Sequence, residues 1–175
     1  FTYTNVNDAA FKYVAIFTFF PPELSLPRLR EADIDLYVAR GNTNLFQLDP
    51  VAVNSATKSL LRGGTELILI SNALPNEVFA IGVKAEDQQA AQFNIFAASS
   101  DRPFSQRDAS NNIVASAFPL PTIIPDGSPE DPGGTNLFVL VFEPETTVQR
   151  VYVTNSIFHE QAGDLISILS HRDAM

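Results

Sequence analysis

The chain has 175 residues, of which 45% are hydrophobic and 18% are charged, which is enough apolar material for one ordinary domain or two small ones. Its net charge of −9 argues against a nucleic-acid partner and against docking on anionic membranes, because both need a cationic surface. The chain has no cysteine, which excludes disulfides, thiolate catalysis and cysteine-bound zinc.

The pattern of the sequence predicts an all-β protein. Short runs rich in β-branched and aromatic residues recur between turn-forming residues, and a helical period is nearly absent. In chain order, we expect strands over residues 11–20, 33–40, 44–48, 66–71, 78–84 and 92–98, and again over 137–142, 148–154 and 165–169. One helix is expected over residues 51–59, since Asp49 can cap it and Pro50 suits its first position.

A polar stretch divides the chain. Residues 99–122 are weakly patterned and indicate a linker or long loop. We therefore expect a first β-sandwich over residues 1–98 and a partial β block over residues 123–175. The chain begins at Phe1 rather than methionine, which indicates a processed chain or a fragment that has lost a signal peptide. No apolar run is long enough to span a bilayer, so no membrane insertion is expected.

The first block resembles a known module. Residues 33–38 read Asp-Ile-Asp-Leu-Tyr-Val, and they are followed by the Arg62-Gly63-Gly64 turn and the apolar strand 78–83. These stretches resemble the bacterial pre-peptidase C-terminal (PPC-type) domain over about residues 1–98. The resemblance implies a jelly-roll-like β-sandwich attached to secreted proteases and other exported proteins, and hence a secreted, extracellular or cell-surface location.

The second block resembles the opening part of a proprotein-convertase P domain over about residues 123–175. The stretches that carry this likeness are residues 124–127, the strand 151–153, His159 and residues 163–165. That family is also a jelly roll and continues with further strands and a tryptophan-containing segment, whereas this chain has no tryptophan. Half a sandwich leaves strand edges and an apolar face uncovered. Three explanations stay open: strands missing from the chain, packing of the two blocks, or strands supplied by a partner through β-augmentation.

No catalytic centre is predicted. The chain has two histidines, His159 and His171, and none of its serines stands in a Gly-x-Ser-x-Gly elbow. We interpret His159, which precedes Glu160 and lies near Asp164, as a structural hydrogen-bonding residue, as the P-domain resemblance also implies. Membership of a Ser–His–Asp triad is the alternative. We therefore expect that the protein is not an enzyme.

A calcium site is the one cofactor hypothesis. Asp33 and Asp35 stand two residues apart on the predicted strand 33–40, so both side chains point to one face, while Ile34, Leu36 and Val38 point to the other. Two close carboxylates are tolerated when they are solvated or when a cation lies between them. Calcium takes about six to eight oxygen ligands, so Glu66, Asp87 or loop carbonyls would have to contribute. We predict Asp33, Asp35 and Glu66 as ligands; the alternative is a plain solvent-facing strand. Calcium binding in relatives of both resembled modules supports the site.

The sequence thus predicts a non-catalytic protein that acts in structural assembly or protein recognition outside the cell or at its surface. A protein partner or self-assembly is expected, without nucleic acid. The alternative is an accessory module, binding substrate or adding stability, that was cut from a larger secreted protease.

Overall fold

The all-β prediction is confirmed. The computed structural model describes residues 1–19, 32–41, 44–47, 49–86, 90–128, 130, 132–143, 146–160 and 162–169. Within these ranges the strands are β1 (Thr2–Thr4), β2 (Tyr13–Phe19), β3 (Ile34–Arg40), β4 (Thr57–Ser59), β5 (Glu66–Ile70), β6 (Val78–Ala85), β7 (Asn94–Ser100), β8 (Ser105–Arg107) and β9 (Ile113–Ala115). One α-helix, α1 (Pro50–Ser55), and 3-10 turns over Asn44–Gln47 and Ala162–Asp164 complete the described elements.

Two antiparallel sheets form the body of the molecule. The first sheet has the order β1-β6-β3-β4, and the second has the order β5-β2-β7. Side chains from both sheets meet in an inter-sheet core made of Val14, Ile16, Leu36, Val38, Ile68, Ala73, Phe79 and Ile81. Because each strand alternates its side chains between two faces, one face of each sheet supplies this core. The result is the sandwich-like arrangement that the strand pattern predicts.

The expected alternation along β3 is confirmed. Leu36 and Val38 are buried in the inter-sheet core, and Ile34, which lies on the same face of the strand, is buried as well. Ala39 faces the other way, where it packs with Leu45, Ala56 and Ala80 in a small cluster. The outer face of the first sheet is therefore partly covered as well.

The strand expected over residues 44–48 is wrong. Asn44–Gln47 form a 3-10 turn, and Leu45 in that turn is buried against the first sheet. A Cβ placed on Gly82 would lie 3.5 Å from Leu45 Cδ2, which is ordinary van der Waals contact and shows that Leu45 packs on the face of β6 at Gly82. One inserted side chain, rather than a ladder of hydrogen bonds, fixes this segment.

The helix begins where the sequence predicts and ends earlier. The Asp49 carboxylate accepts a hydrogen bond from the Val51 amide at 2.9 Å, and Pro50 occupies the first helical turn. Ala56 then turns to an extended conformation, with φ −63° and ψ 147°. Thr57–Ser59 consequently leave the helix and pair with β3 as strand β4, which corrects the predicted helix over residues 51–59.

The stretch expected to be a linker holds regular structure. β8 and β9 pair as a hairpin, and the Asp108 carboxylate accepts hydrogen bonds from the Ser110 and Asn112 amides in its turn. On the outer face of the second sheet lies an aromatic layer, made of Phe17, Phe19, Phe96, Phe104, Phe118 and Phe138. The stretch predicted as a linker or long loop thus contains a hairpin, and its Phe104 and Phe118 pack in the aromatic layer.

The strands expected after residue 122 are not formed in the described part of the chain. There the structure gives only an isolated antiparallel bridge between Phe118 and Phe138. Residues 148–154 and 165–169 have strand-like sequences but no ladder. The physical reason is that a strand needs a neighbour, and these segments find none among the described residues. The division into two sandwich blocks stays a prediction.

Candidate functional site

A small acidic pocket lies on the outer face of the first sheet. It has a volume of about 220 Å³ and is lined by Asp33, Asp35, Tyr37, Leu60, Leu61, Arg62 and Glu86. Asp33 and Asp35 therefore share one surface, as their spacing on the strand predicts.

Asp35 is the buried member of this pocket, with 4% of its surface exposed. Its carboxylate accepts a hydrogen bond from the Tyr37 hydroxyl at 3.1 Å and lies 3.9 Å from the Lys84 ammonium. Burial raises the pKa of Asp35 above its ordinary value, and the neighbouring Glu86 raises it further, against lowering contributions from Tyr37 and Lys84. Lys84 also bonds Glu86 at 2.8 Å, and this hydrogen bond lowers the pKa of Glu86.

Asp33 holds a turn. Its carboxylate accepts a hydrogen bond from the Gly63 amide at 3.0 Å, and the Ile34 amide donates to the Gly63 carbonyl at 3.1 Å. Gly63 has φ +104°, a conformation that side-chain-bearing residues rarely adopt. Asp33 thus fixes the connection between β4 and β5 to the start of β3, and Arg62-Gly63-Gly64 is a tight turn.

Glu66, the third predicted ligand, is buried and does not line the pocket. It begins β5 on the same face as Ile68, which belongs to the inter-sheet core, and it is fully buried. Leu36 and Val38 point into that core from β3, so the intervening alternation directs Asp35 to the opposite side of the first sheet. The structure brings Asp33 and Asp35 into one pocket that Glu66 does not line, and the charges of both aspartates add to the rise in the pKa of Glu66.

The buried Glu66 carboxyl is only half satisfied. Its Oε2 accepts a hydrogen bond from the Leu61 amide at 3.2 Å, whereas Oε1 has no hydrogen-bond partner among the described residues. Burial raises the pKa of Glu66, and hydrogen bonds from Ser59 and the Leu61 amide lower it by less. This half-satisfied carboxyl is a destabilising feature of the core at neutral pH.

The calcium hypothesis stays a prediction. Among the described residues, no group of three or more histidine, cysteine, aspartate or glutamate side chains is placed to hold a metal ion. Asp87, the other carboxylate considered, lies outside the described residues. Tyr37, Lys84 and Glu86 were not singled out from the sequence, although the β3–β6 register places Asp35 opposite Lys84.

Of the two histidines, the structure describes His159, which lies in the second block. His159 is half-buried beside the exposed Glu160, ahead of the turn Ala162–Asp164. His171 lies outside the described residues. The structural role of His159 stays a prediction.

A wider groove lies at the other end of the first sheet, with a volume of about 690 Å³. It is lined by Thr2, Arg40, Gly41, Phe46, Glu77, Val78 and Ala80. The Arg40 guanidinium donates to the Glu77 carboxylate at 3.0 Å and also bonds Asn72. Arg40, at the end of β3, therefore binds the connection between β5 and β6 through Asn72 and Glu77.

Family models, curated proteins and solved structures were each compared with the chain, and none of them matches it. Among the described residues, no helix combines the length and the apolar character needed to cross a membrane.

The most unusual surface of the molecule lies after residue 142. Tyr152 is 81% exposed, and Ile166 and Ile168 are 88% and 86% exposed. Further exposed apolar side chains in the same region are Val148, Val151, Val153, Ile157, Phe158 and Leu169. Many exposed apolar side chains in one stretch of chain point to an interaction surface, since monomeric proteins rarely expose large apolar areas.

Residues 148–154, which we call the unpaired segment, combine this exposure with a strand-forming sequence. Four of the seven are Val148, Val151, Tyr152 and Val153, all residue types enriched in strands. Arg150 donates a hydrogen bond to the Tyr152 hydroxyl at 2.9 Å, with its guanidinium 5.8 Å from the ring centre. The segment is built like a strand and presents both of its faces to solvent.

Proposed function

We propose that this protein is a non-catalytic β-sandwich that acts in structural assembly or protein recognition by binding other protein chains. The observation that carries the proposal is the run of exposed apolar side chains over residues 148–169, in segments with strand-forming sequences and no strand partner in the described chain. Recognition by strand addition uses this combination, in which backbone hydrogen bonds give affinity and side chains give specificity.

The apolar surface is large enough to drive association. Burying one valine or isoleucine side chain contributes about 1.5–3 kcal/mol. Covering four such side chains therefore supplies on the order of 6–12 kcal/mol, which is comparable with the roughly 4–15 kcal/mol that association costs in lost freedom. The hydrogen bonds of a newly paired strand would add to this gain.

An extracellular or cell-surface location is part of the proposal. It is supported by the resemblance of Asp33–Val38 to the PPC-type module and of the second block to the P domain, since both are modules of exported proteins. The proposed lack of catalysis is supported by the sequence, in which no serine stands in a Gly-x-Ser-x-Gly elbow.

The association itself is tested by sedimentation velocity on the purified chain, from low micromolar to several hundred micromolar. We expect concentration-dependent association that is weakened in Val151→Ser/Val153→Ser. The matched control is Val51→Ser, because Val51 is an exposed valine on α1, away from the second block. A monomer across the whole range would contradict the proposal.

The non-catalytic part has its own test. The purified chain is assayed against peptide and ester substrates, together with His159→Ala. We expect no turnover by either protein. Hydrolysis by the wild type that disappears in His159→Ala would overturn the proposal.

A further inference from the structure

Arg150 lies in the middle of a long exposed stretch of chain. Every residue from Thr146 to Phe158 is exposed, and none of them belongs to a helix or a strand. Within this stretch, the unpaired segment 148–154 forms no backbone–backbone hydrogen bond with another described residue. Arg150 is the sole lysine or arginine of the stretch. One cation is therefore presented on accessible backbone.

This arrangement is the form that an endoprotease needs in its substrate. Proteases nick folded proteins at exposed segments rather than within packed elements. An extended peptide binds another protein through its own backbone donors and acceptors, which residues in a ladder have already used. A trypsin-like enzyme adds a requirement for a cationic side chain, because an aspartate lies in its specificity pocket. Arg150 supplies the cation, and the unpaired segment supplies the free backbone.

The Arg150 side chain makes contacts that it can leave easily. Its guanidinium donates to the Tyr152 hydroxyl at 2.9 Å and lies 5.8 Å from the centre of the Tyr152 ring. Both residues are exposed, and exposed cation–π contacts are weak. The side chain can therefore turn into a protease pocket without disturbing the sandwich.

Most other lysines and arginines of the described chain lie in structured backbone. Four of them are strand residues within ladders, namely Arg40, Lys58, Lys84 and Arg107. The Lys12 carbonyl accepts a hydrogen bond from the Ala73 amide at 2.9 Å. Arg102 precedes Pro103, whose ring restricts the backbone before it and removes an N–H.

Arg62 is the informative comparison, because it is exposed as Arg150 is. It stands beside Gly63 in the tight turn, where the Asp33 carboxylate accepts a hydrogen bond from the Gly63 amide at 3.0 Å. The chain would have to leave this turn before it could bind a protease in an extended conformation. Arg62 and Arg150 thus differ in the backbone that carries them and not in exposure.

We propose that the Arg150–Val151 peptide bond of the folded protein is a cleavage site for trypsin-like endoproteases, and that cutting it ends the association of the chain. Hydrolysis consumes one water: its oxygen bonds to the Arg150 carbonyl carbon, the C–N bond breaks, and a proton passes to the Val151 nitrogen. The second part rests on the proposed function, because the cut divides the exposed apolar run over residues 148–169. No ladder among the described residues joins the part after Arg150 to the sandwich.

Limited proteolysis with trypsin tests the site on the purified chain at low micromolar concentration, with mass spectrometry to assign each cut. In the folded chain we expect the initial rate of cutting after Arg150 to exceed that after Arg62 by at least about tenfold, because the turn must open before Arg62 is cut. Synthetic peptides of residues 57–67 and 145–155 should be cut at similar rates, which assigns the difference to the fold. Arg150→Gln should lose the cut, whereas the matched control Arg62→Gln should keep it.

Sedimentation velocity tests the second part. The wild type cut after Arg150 should be monomeric at concentrations at which the uncut chain associates. Arg150→Gln should sediment alike before and after trypsin treatment. Cutting after Arg150 no faster than after Arg62 overturns this inference and leaves the proposed function standing. A cut chain that associates like the uncut chain also overturns it. An uncut wild type that stays monomeric overturns the proposed function together with the second part, and the two cutting rates then decide the cleavage site alone.

Discussion

Phe118 and Phe138 exchange both of their backbone hydrogen bonds, with the Phe118 amide 2.9 Å from the Phe138 carbonyl and the Phe138 amide 2.8 Å from the Phe118 carbonyl. Their rings, 6.0 Å apart, both contact the Phe17 and Phe96 rings of the second sheet. The pair thus joins the segment after β9 to the start of the second block and fixes both to the sandwich. The burial of these rings, more than a ladder of backbone hydrogen bonds, holds the segments of Phe118 and Phe138 on the second sheet.

Removing the ring of Phe138 should destabilise the packing of these segments on the second sheet. Because Phe138 contacts four other rings of the aromatic layer, we expect Phe138→Ala to lower the free energy of unfolding by about 2–4 kcal/mol. Denaturant unfolding measures the change. Phe142→Ala is the matched control, since Phe142 is mostly exposed, and it should cost less than about 1 kcal/mol. Equal losses in the two variants would contradict the role of Phe138.

The buried Glu66 carboxyl predicts an unusual dependence of stability on pH. Because burial raises its folded-state pKa above the unfolded value, its protonated form stabilises the fold. That contribution is fully present below the unfolded pKa and is lost as the pH rises through the folded pKa. Glu66→Gln, which removes the ionisation, should raise the melting temperature at neutral pH and flatten its decline with rising pH.

Melting curves across the acidic to neutral range measure this effect, with the exposed Glu160→Gln as control. The interpretation fails if Glu66→Gln melts below the wild type at neutral pH and keeps the same slope with pH.

The turn held by Asp33 requires glycine at residue 63. Gly63→Ala places a side chain at φ +104°, so we expect a loss of about 1–3 kcal/mol in unfolding free energy. Gly134→Ala is the control, because a Cβ there meets nothing within 4 Å. An unchanged stability in Gly63→Ala would show that the turn relaxes without strain.

Calcium at Asp33 and Asp35 is checked by thermal melting with and without millimolar Ca²⁺. If the sequence prediction is right, calcium raises the melting temperature of the wild type through binding to the folded state. The rise disappears in Asp33→Asn/Asp35→Asn. Glu66→Gln tests the third predicted ligand apart from Asp33 and Asp35. We expect this variant to keep the calcium response, because Glu66 is fully buried and does not line the pocket. No shift in the wild type would remove the hypothesis.

The sequence was informative where the alternation of side chains determines the structure. β3 shows this best, since Ile34, Leu36 and Val38 were assigned to the correct face from their spacing alone. The start of α1 was also predicted correctly, because Asp49 can cap a helix and Pro50 suits its first turn.

The predicted elements were wrong where contacts with residues far along the chain determine the local structure. Leu45 lies in a 3-10 turn and is buried against Ala39 and Ala80, on strands that the local sequence does not reveal as its neighbours. Phe104 and Phe118 order a polar stretch because they reach an aromatic layer on the second sheet.

The most direct measurement of the central claim is hydrogen–deuterium exchange of the amides over residues 148–154 as the protein concentration is raised. The dilute chain should exchange these amides rapidly, since they have no ladder partner in the described structure. If the segment pairs with another copy, its protection rises with concentration. Rapid exchange of residues 148–154 at every concentration would contradict assembly through this segment.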